Sequence, residues 1–299
     1  MTTAGHDRGT RSIVRLKHCL PWWMKIAIKI AIARIPVRYG TWKRLHIFEH
    51  GRMEDVDYLY GTVLDHIAAC PKPVEGCHLL ELGPGDSAST ALVTAALGAA
   101  RTTLVDVGSF ADSSIDLYRR TACALRQRFG LRVPNVEHCA TMDQFLAGCR
   151  AEYLTNGVAS LKALPTQSID FAWSNAVLEH VRRETVPELL LQLRRIMRPD
   201  GLISHQVDLR DHLNGQLNNL RFAQRLWEST FMFESGFYTN RLRLSEWLHL
   251  FREQGFTIVR VDEERWPALP VKRRQLHEHF RSLTDAELMV SGFRVILRA

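Results

Sequence analysis

The feature that most constrains how this chain folds is an apolar run that ends in a glycine turn. Residues 77–82 are mostly apolar, Gly83-Pro84-Gly85 follow at once, and 88–99 have the composition of a helix. Glycines at such a point let the backbone bend sharply and let a ligand approach the main chain closely. The segment therefore predicts a strand, a tight turn and a helix in succession.

Apolar runs and helical patterns alternate along the chain from this point, as they do in parallel βαβ units. The predicted strands are 77–82, 102–107, 152–155, 169–174, 202–207, 256–261 and 293–297. The predicted helices are 54–69, 88–99, 115–129, 176–182, 187–197, part of 209–236, and 243–254. Two closing strands after a helix suit an α/β sheet with an antiparallel edge.

The net charge of +7 belongs to the N-terminal sixth of the chain. Residues 1–50 hold ten basic and two acidic residues, whereas the other 249 hold 29 basic and 30 acidic ones. A nucleic-acid-binding protein spreads positive charge over its binding surface, and the main body of this chain does not. Nucleic acid is therefore not an expected partner, and 1–50 form a separate basic segment beside the domain 51–299.

The basic segment has two interpretations that can coexist. Its apolar stretch, 22–35, is interrupted by Lys25, Lys29 and Arg34, so it is too short and too charged for a spanning helix. The two interpretations are a helical lid over the domain and, through 13–50, a peripheral contact with an anionic membrane surface. A contact with a protein or a nucleic acid is the remaining alternative. Six scattered cysteines without a C-x-x-C motif predict reduced thiols in a cytoplasmic protein.

The glycine turn differs from the common nucleotide-binding turns. The residue three positions after Gly85 is Ala88 rather than glycine, and no Gly-Lys-Ser/Thr follows. Glu81 precedes the first glycine by two residues, where it would repel a pyrophosphate and attract a cationic group. Asp106 ends the next predicted strand, at a spacing that suits a carboxylate bound to the vicinal hydroxyls of a ribose.

Two further motifs complete a set of four. They are residues 168–181 (S-I-D-F-A-W-S-N-A-V-L-E-H-V) and 193–202 (L-R-R-I-M-R-P-D-G-L). In order along the chain, 81–85, Asp106 and these two stretches resemble the class I S-adenosylmethionine-dependent methyltransferases, with Ser87 where a third glycine is usual. The resemblance implies a Rossmann-like α/β fold: a seven-stranded, mostly parallel sheet with an antiparallel edge strand and an N-terminal helical lid.

The resemblance also implies a cofactor, S-adenosyl-L-methionine, and the residues around it. The glycines would pass beneath its methionine portion, Glu81 would orient the loop and the ammonium group, Asp106 would hold the ribose, and Asn156 would stand in the adenine loop. The implied cofactor-binding residues are Glu81, Gly83, Pro84, Gly85, Asp106, Val107, Asn156, Ser174 and Asn175.

Methyl transfer to a hydroxyl requires alignment of donor and acceptor and removal of a proton. Candidates lie at the carboxyl ends of the fourth and fifth strands, where open α/β sheets bind ligands. The candidate catalytic residues are His205, His180 and Asp208, and the candidate acceptor-binding residues are Arg210, His212, Tyr238, Asn240 and Arg241. Each also has a structural interpretation, as a packed histidine, a helix cap, an ion pair or a turn.

No metal is predicted, because the spacing of His205, Asp208 and His212 is not typical of zinc sites. Stretches 204–212 and 235–243 resemble a bacterial small-molecule branch associated with surface-polysaccharide genes, which implies methylation of a sugar or glycan hydroxyl. The alternatives are a lipid or quinone methyltransferase at the inner face of the membrane and a non-catalytic cofactor-binding scaffold.

Overall fold

The structure is a computed structural model, and it describes Met24, Ile26 and residues 55–299. The strands are β1 (His78–Leu82), β2 (Arg101–Val105), β3 (Ala151–Leu154), β4 (Ile169–Asn175), β5 (Met197–Asp208), β6 (Thr257–Arg265) and β7 (Val290–Arg298). The first nine helices are α1 (Val56–Ile67), α2 (Thr90–Ala96), α3 (Ile115–Phe129), α4 (Met142–Gly148), α5 (Val158–Ala163), α6 (Val186–Ile196), α7 (Gln224–Trp227), α8 (Thr230–Phe233) and α9 (Leu244–Glu253). Short helices α10 (Glu278–Arg281) and α11 (Asp285–Leu288) precede β7.

The strands form one sheet in the order β3-β2-β1-β4-β5-β7-β6. Neighbours from β3 to β5 pair in parallel, and β7 pairs antiparallel with both β5 and β6. The predicted seven-stranded, mostly parallel sheet with an antiparallel edge is therefore confirmed. Register places Leu82 opposite Val105 and Ser174, and Ser174 opposite His205, so the carboxyl ends of β1, β2, β4 and β5 lie along one rim.

Helices cover both faces of the sheet, as parallel strands require. On one face α1, α2, α3 and α4 pack through residues such as Leu59, Leu92 and Tyr118. On the other, α5, α6 and α9 pack through a larger cluster that includes Leu190 and Phe251. The carboxyl ends of the parallel strands form the rim between these two layers, which is where ligands bind in such sheets.

Three predicted elements differ from the structure. The helix predicted over 176–182 is wrong, because Ala176 has a positive φ of 54° and only a 3₁₀ turn, Leu178–His180, follows. β5 begins at Met197, and the Pro-Asp-Gly sequence lies in an irregular part of that strand instead of before it. The helical stretch predicted within 209–236 is divided into the 3₁₀ turn Asn218–Arg221, α7 and α8.

The predicted N-terminal lid or membrane-proximal segment lies almost wholly outside the described residues. Of that segment, Ile26 packs against an apolar cluster formed by Leu213, Trp227, Met232, Phe237 and Tyr238. Within residues 55–299 and at the two described N-terminal positions, no helix combines the length and apolarity needed to cross a bilayer.

Candidate active site

The glycine turn approaches the segment that follows β4. Gly83 has φ of +73°, and a Cβ atom there would lie 2.4 Å from Cγ2 of Val177. Its N–H donates to the Val105 carbonyl at 2.8 Å, which ties the end of β1 to the end of β2. Only glycine combines this backbone conformation with this close contact. The turn therefore exposes main chain, rather than side chain, at the rim.

Asp106 connects three parts of the rim. Its Oδ1 accepts from the Val107 N–H at 2.7 Å, and its Oδ2 accepts from the Gly85 N–H at 3.3 Å. Its own carbonyl accepts from the Gly157 N–H at 2.8 Å, next to the exposed Asn156. The carboxylate is thus held between the glycine turn and the loop after β3.

Val107 is 77% exposed beside that carboxylate, although it is apolar. Gly157 has φ of +52° and runs close to it, since a Cβ atom there would lie 3.1 Å from Cγ1 of Val107. A carboxylate next to an uncovered apolar side chain fits a ribose that carries a flat aromatic base. The predicted positions of Asp106, Val107 and Asn156 therefore fall along one stretch of the rim.

Glu81 supplies a buried carboxyl beneath the glycine turn. Burial raises its pKa to about 7 and the Asp106 charge adds to this, while the neighbouring Thr90 hydroxyl and Trp173 indole act in the opposite direction. Neither group meets Oε2 at hydrogen-bond geometry, so this oxygen has no partner among the described residues. An unpaired buried carboxyl oxygen fits a cationic ligand group such as an α-ammonium.

The other predicted cofactor residues divide between rim and interior. Pro84 is buried within the turn. Asn175 lies at the end of β4, where its Nδ2 donates to the Tyr58 hydroxyl at 3.0 Å. Ser174 is fully buried, and its hydroxyl bonds Nδ1 of His205 at 2.7 Å. Asn175 therefore lies at the rim with its amide bound to Tyr58, whereas Ser174 faces the interior of the sheet, and ligand contact by either residue stays a prediction.

A polar cluster lies beyond the glycine turn, two residues after Val177. It contains Glu179 and His180 from the 3₁₀ turn and His212 from the loop after β5. The two imidazole ring centroids are 4.7 Å apart, with the rings at 71°. Burial raises the pKa of Glu179 well above its ordinary value. The cluster combines two imidazoles and a carboxyl group at the predicted acceptor side.

Asp208 and Arg210 form an ion pair beside this cluster. Nε and Nη2 of Arg210 donate to the two carboxylate oxygens at 2.8 and 3.1 Å. The structural alternative for Arg210, pairing with an aspartate, is thus present. The pair lies at the end of β5 and is part exposed, so both groups remain at the rim.

His205 lies away from the rim surface. It is 1% exposed, its ring stacks on Phe251 of α9 at 6.2 Å, and burial lowers its pKa to about 3. A histidine with so low a pKa stays neutral and is a weak base. This placement favours a structural role, and the catalytic role predicted for His205 stays a prediction.

Tyr238, Asn240 and Arg241 brace the loops of the site. The Tyr238 hydroxyl donates to Oε2 of Glu228 at 2.6 Å, and Nδ2 of Asn240 donates to the Leu178 and Val181 carbonyls. The buried Arg241 guanidinium donates to backbone carbonyls of Asn219 and Phe222. The structure thus favours their structural interpretation, and acceptor binding by these three residues stays a prediction.

With this geometry in place, the comparison with known proteins decides the family. The family described as methyltransferase domain matches residues 54–261. The chain belongs to the methyltransferase-domain family. The cofactor predicted from the four motifs, S-adenosylmethionine, is that of the family, and the residues around Glu81 and Asp106 fit it.

Several solved methyltransferases have a similar structure. An S-adenosylmethionine-dependent methyltransferase from Mesorhizobium loti is 14% identical, with 82% of this chain and 100% of that chain covered and a TM-score of 0.46. A 1,6-didemethyltoxoflavin-N1-methyltransferase from Burkholderia thailandensis, solved with S-adenosylhomocysteine, is 17% identical, with 82% and 79% covered and a TM-score of 0.44. No curated protein matches the chain.

Two residues of this methyltransferase's site are absent from the sequence-based candidates. Glu179 lies within a motif, and a carboxylate next to His180 in an apolar stretch is a signal that could have identified it. Tyr153 holds the loop after Asp106, because its hydroxyl donates to the Gly108 carbonyl at 2.9 Å and accepts from the Phe110 N–H at 3.1 Å. Nothing in the sequence near Tyr153 indicates that long-range contact.

The burial of His205 gives this methyltransferase a pH-dependent stability. Its pKa is about 3 in the folded chain against an ordinary value of 6.5, so between these limits the unfolded chain binds more protons and stability rises with pH. From pH 7 to pH 5 we expect wild type to lose up to about 2 kcal/mol more unfolding free energy than His205→Gln. Urea unfolding at both pH values measures the difference, and equal losses would contradict a buried neutral His205.

Proposed function

We propose that this methyltransferase transfers a methyl group from S-adenosylmethionine to a hydroxyl of a sugar or glycan precursor. The observation that carries the proposal is the polar cluster of Glu179, His180 and His212 beside the glycine turn. A hydroxyl needs a group that takes or weakens its proton before it attacks, whereas a carbanion or a neutral amine does not. Imidazole and carboxyl groups at the acceptor side meet that need.

In the proposed cofactor site, different rim residues contact different parts of S-adenosylmethionine. Asp106 accepts hydrogen bonds from the ribose hydroxyls, and Glu81 compensates the ammonium group. The glycine turn lets the methionine portion lie against the main chain, and Val107 packs on the base. S-adenosylmethionine supplies a methyl group already activated on a sulfonium, so the protein mainly fixes the line of approach.

The proposed acceptor site uses the groups after β4 and β5. His180 is exposed, and its Nδ1–H donates to the Tyr238 carbonyl at 3.0 Å, which leaves the lone pair on Nε2. Asp208 and Arg210 offer an acceptor and a donor pair that suit a polyol or an acidic sugar. We place the hydroxyl against His180 and the sugar ring against the ion pair.

Product analysis tests the proposal. We expect nucleotide-linked sugars incubated with S-adenosylmethionine and the full chain to gain one methyl group on oxygen, detected by mass spectrometry with release of S-adenosylhomocysteine. His180→Gln is expected to lower kcat by about a hundredfold, within the range that proton-transfer groups contribute, with KM for the cofactor unchanged. His249→Gln, on the exposed face of α9, is the matched control. Methylation of nitrogen or carbon would contradict the hydroxyl proposal.

A second candidate acceptor is a lipid-linked molecule or a quinone. The observation that favours it is an apolar surface on and beside α7 and α8, where Leu226 and Phe231 are about half exposed and Phe233 is 36% exposed. This surface adjoins the cluster on which Ile26 of the basic segment packs. Exposed apolar residues beside basic ones are typical of peripheral membrane contacts.

Vesicle co-sedimentation separates the two candidates. If the acceptor is lipid-linked, wild type is expected to sediment with phosphatidylglycerol vesicles and not with phosphatidylcholine vesicles. Phe231→Asp is then expected to reduce the bound fraction severalfold, whereas Val259→Asp, an exposed apolar position on β6, is expected to leave it unchanged. Absence of binding to phosphatidylglycerol vesicles would contradict the lipid-linked candidate.

A further inference from the structure

We propose that Glu179, His180 and His212 form a binding site for a divalent transition-metal cation of the zinc type. One ligand atom from each residue, a carboxylate oxygen and two imidazole nitrogens, lies within 4.8 Å of the other two. The three residues come from two segments, the 3₁₀ turn after β4 and the loop after β5, which meet at the rim. Their sequence spacing therefore gave no indication of a shared site.

The carboxylate of Glu179 is the first support. The side chain is 2% exposed; the backbone N–H groups of Glu179 and Asp208 lie near its carboxyl group, but neither Oε1 nor Oε2 has a partner at hydrogen-bond geometry among the described residues. The nearby Arg210 guanidinium is engaged in the ion pair with Asp208. A buried carboxylate without a partner is strongly unfavourable, and a bound cation removes that penalty.

The orientation of His180 is the second support, and it is independent of the first. Its Nδ1–H donates to the Tyr238 carbonyl, so the nitrogen that points away, Nε2, carries the lone pair. A backbone carbonyl on the far nitrogen is the usual partner of a metal-binding histidine, because it fixes both the tautomer and the ring.

The backbone around the cluster is held in place by two polar side chains. The Asn240 N–H donates to the Glu179 carbonyl at 2.7 Å, and its Nδ2 donates to the carbonyls of Leu178, the first residue of the 3₁₀ turn, and Val181, which follows the turn. The buried Asp211 carboxylate accepts from the N–H groups of Leu213, Asn214 and Asn218. Asn240 and Asp211 thus fix the two segments that carry the three candidate ligands.

The donor set indicates the type of cation. Two imidazoles and a carboxylate suit Zn²⁺ and similar transition metals, whereas Mg²⁺ favours oxygen ligands and water. Zinc bonds of about 2.1 Å in tetrahedral geometry bring ligand atoms to about 3.4 Å from one another. The three ligand atoms now lie within 4.8 Å of one another, so small side-chain movements of Glu179 and His212 toward His180 would bring them to that spacing.

Three protein ligands leave a coordination position open, as in catalytic zinc sites. The cluster lies two residues after Val177, which is in close contact with the glycine turn, so a group bound to the cation would lie near the acceptor side. With the cation present, His180 would serve as a ligand and not as the base: the cation would lower the pKa of the bound hydroxyl, and the proton would pass to solvent. This role deepens the proposed function and rests on it, whereas the binding of the cation does not.

Metal titration of the full chain tests the inference. After chelator treatment and dialysis, we expect calorimetry to show one Zn²⁺ bound per chain with micromolar or tighter Kd, and no comparable binding of Mg²⁺. His212→Ala and Glu179→Gln are each expected to weaken zinc binding by at least about tenfold, because loss of even a residue that only supports a metal ligand has an effect of that size. His249→Ala, which removes an exposed histidine elsewhere, is expected to bind as wild type does.

A spectroscopic measurement identifies the ligands. Co²⁺ added to wild type is expected to give the intense visible absorption of a low-symmetry, four- or five-coordinate site, and His212→Ala is expected to lose it. Thermal melts check that the variants are folded. If Glu179→Gln has a lowered Tm, His212→Asn is used in its place, because His212 is only half-buried. Absence of zinc binding to wild type, or equal zinc affinity in wild type and the His212 variants, would overturn the inference.

A parallel titration separates this inference from the proposed function. S-adenosylhomocysteine is expected to bind the His212 variants as it binds wild type, since His212 is not among the residues assigned to the cofactor. Zinc binding without cofactor binding would leave the metal site standing and contradict the proposed function. Cofactor binding without zinc binding would contradict the metal site and leave the proposed function standing.

Discussion

Asp106→Ala is expected to weaken the binding of S-adenosylhomocysteine by about ten- to a hundredfold, the range for loss of charged hydrogen bonds to two hydroxyls. The carboxylate holds the Val107 and Gly85 N–H groups and stands at the end of β2, where a ribose would lie. Its removal therefore affects both the ligand contact and the order of the glycine turn. Isothermal titration of the full chain measures the change.

Two variants make the Asp106 result specific. Asp116→Ala removes an exposed carboxylate of α3 that pairs with Arg119 at the surface, and it is expected to leave the affinity unchanged. His205→Ala is expected to change the affinity much less than Asp106→Ala, because His205 is buried behind Ser174. Equal losses for Asp106→Ala and His205→Ala would contradict the roles assigned to them.

Gly83→Ala is expected to lower the free energy of unfolding by about 2–3 kcal/mol and to weaken S-adenosylhomocysteine binding more than about tenfold. A left-handed backbone disfavours a side chain by about 1–2 kcal/mol. The new Cβ atom would also lie 2.4 Å from Val177, which must move away from the rim. Urea unfolding measures the first effect, and titration measures the second.

Two other glycines separate these contributions. Gly76 has φ of +75°, and a Cβ atom there would have no other atom within 4 Å, so Gly76→Ala is expected to cost only the backbone penalty, about 1 kcal/mol. Gly61 lies inside α1 with no crowding, and Gly61→Ala is expected to stabilise by about 0.5–1 kcal/mol. A Gly83→Ala variant as stable as Gly76→Ala would contradict the contact with Val177.

The sheet could be predicted from sequence because its strands are short apolar runs between clear breakers. Every predicted strand has a counterpart, and the order of motifs gave the rim residues Glu81, Gly83 and Asp106. These residues follow one another at fixed spacing from strand ends, so their positions depend on local pattern more than on distant contacts. Local pattern is also why the family is visible in a single sequence.

The acceptor side could not be predicted to the same extent, because long-range contacts shape it. Ala176 adopts a positive φ that its residue type does not suggest, which turns a predicted helix into a 3₁₀ turn. His205 occupies a strand position whose alternation decides between rim and interior, and the face it takes depends on α9. Arg241 is bound by carbonyls about twenty residues away in the sequence.

The meeting of Glu179, His180 and His212 is another such long-range contact. The two segments are more than thirty residues apart and are joined by α6 and β5. The sequence spacing of His205, Asp208 and His212 shows no typical metal pattern. The fold instead brings His212 to the neighbours of Val177, because β4 and β5 are adjacent in the sheet.

Binding of S-adenosylhomocysteine to the full chain tests the central claim most directly. We expect calorimetric titration to show one molecule bound per chain with micromolar Kd, and no heat of binding for ATP or NAD under the same conditions. Such a result would agree with a glycine turn that carries Glu81 in place of a phosphate-binding sequence. Absence of binding by S-adenosylhomocysteine and S-adenosylmethionine to a folded chain would contradict the account.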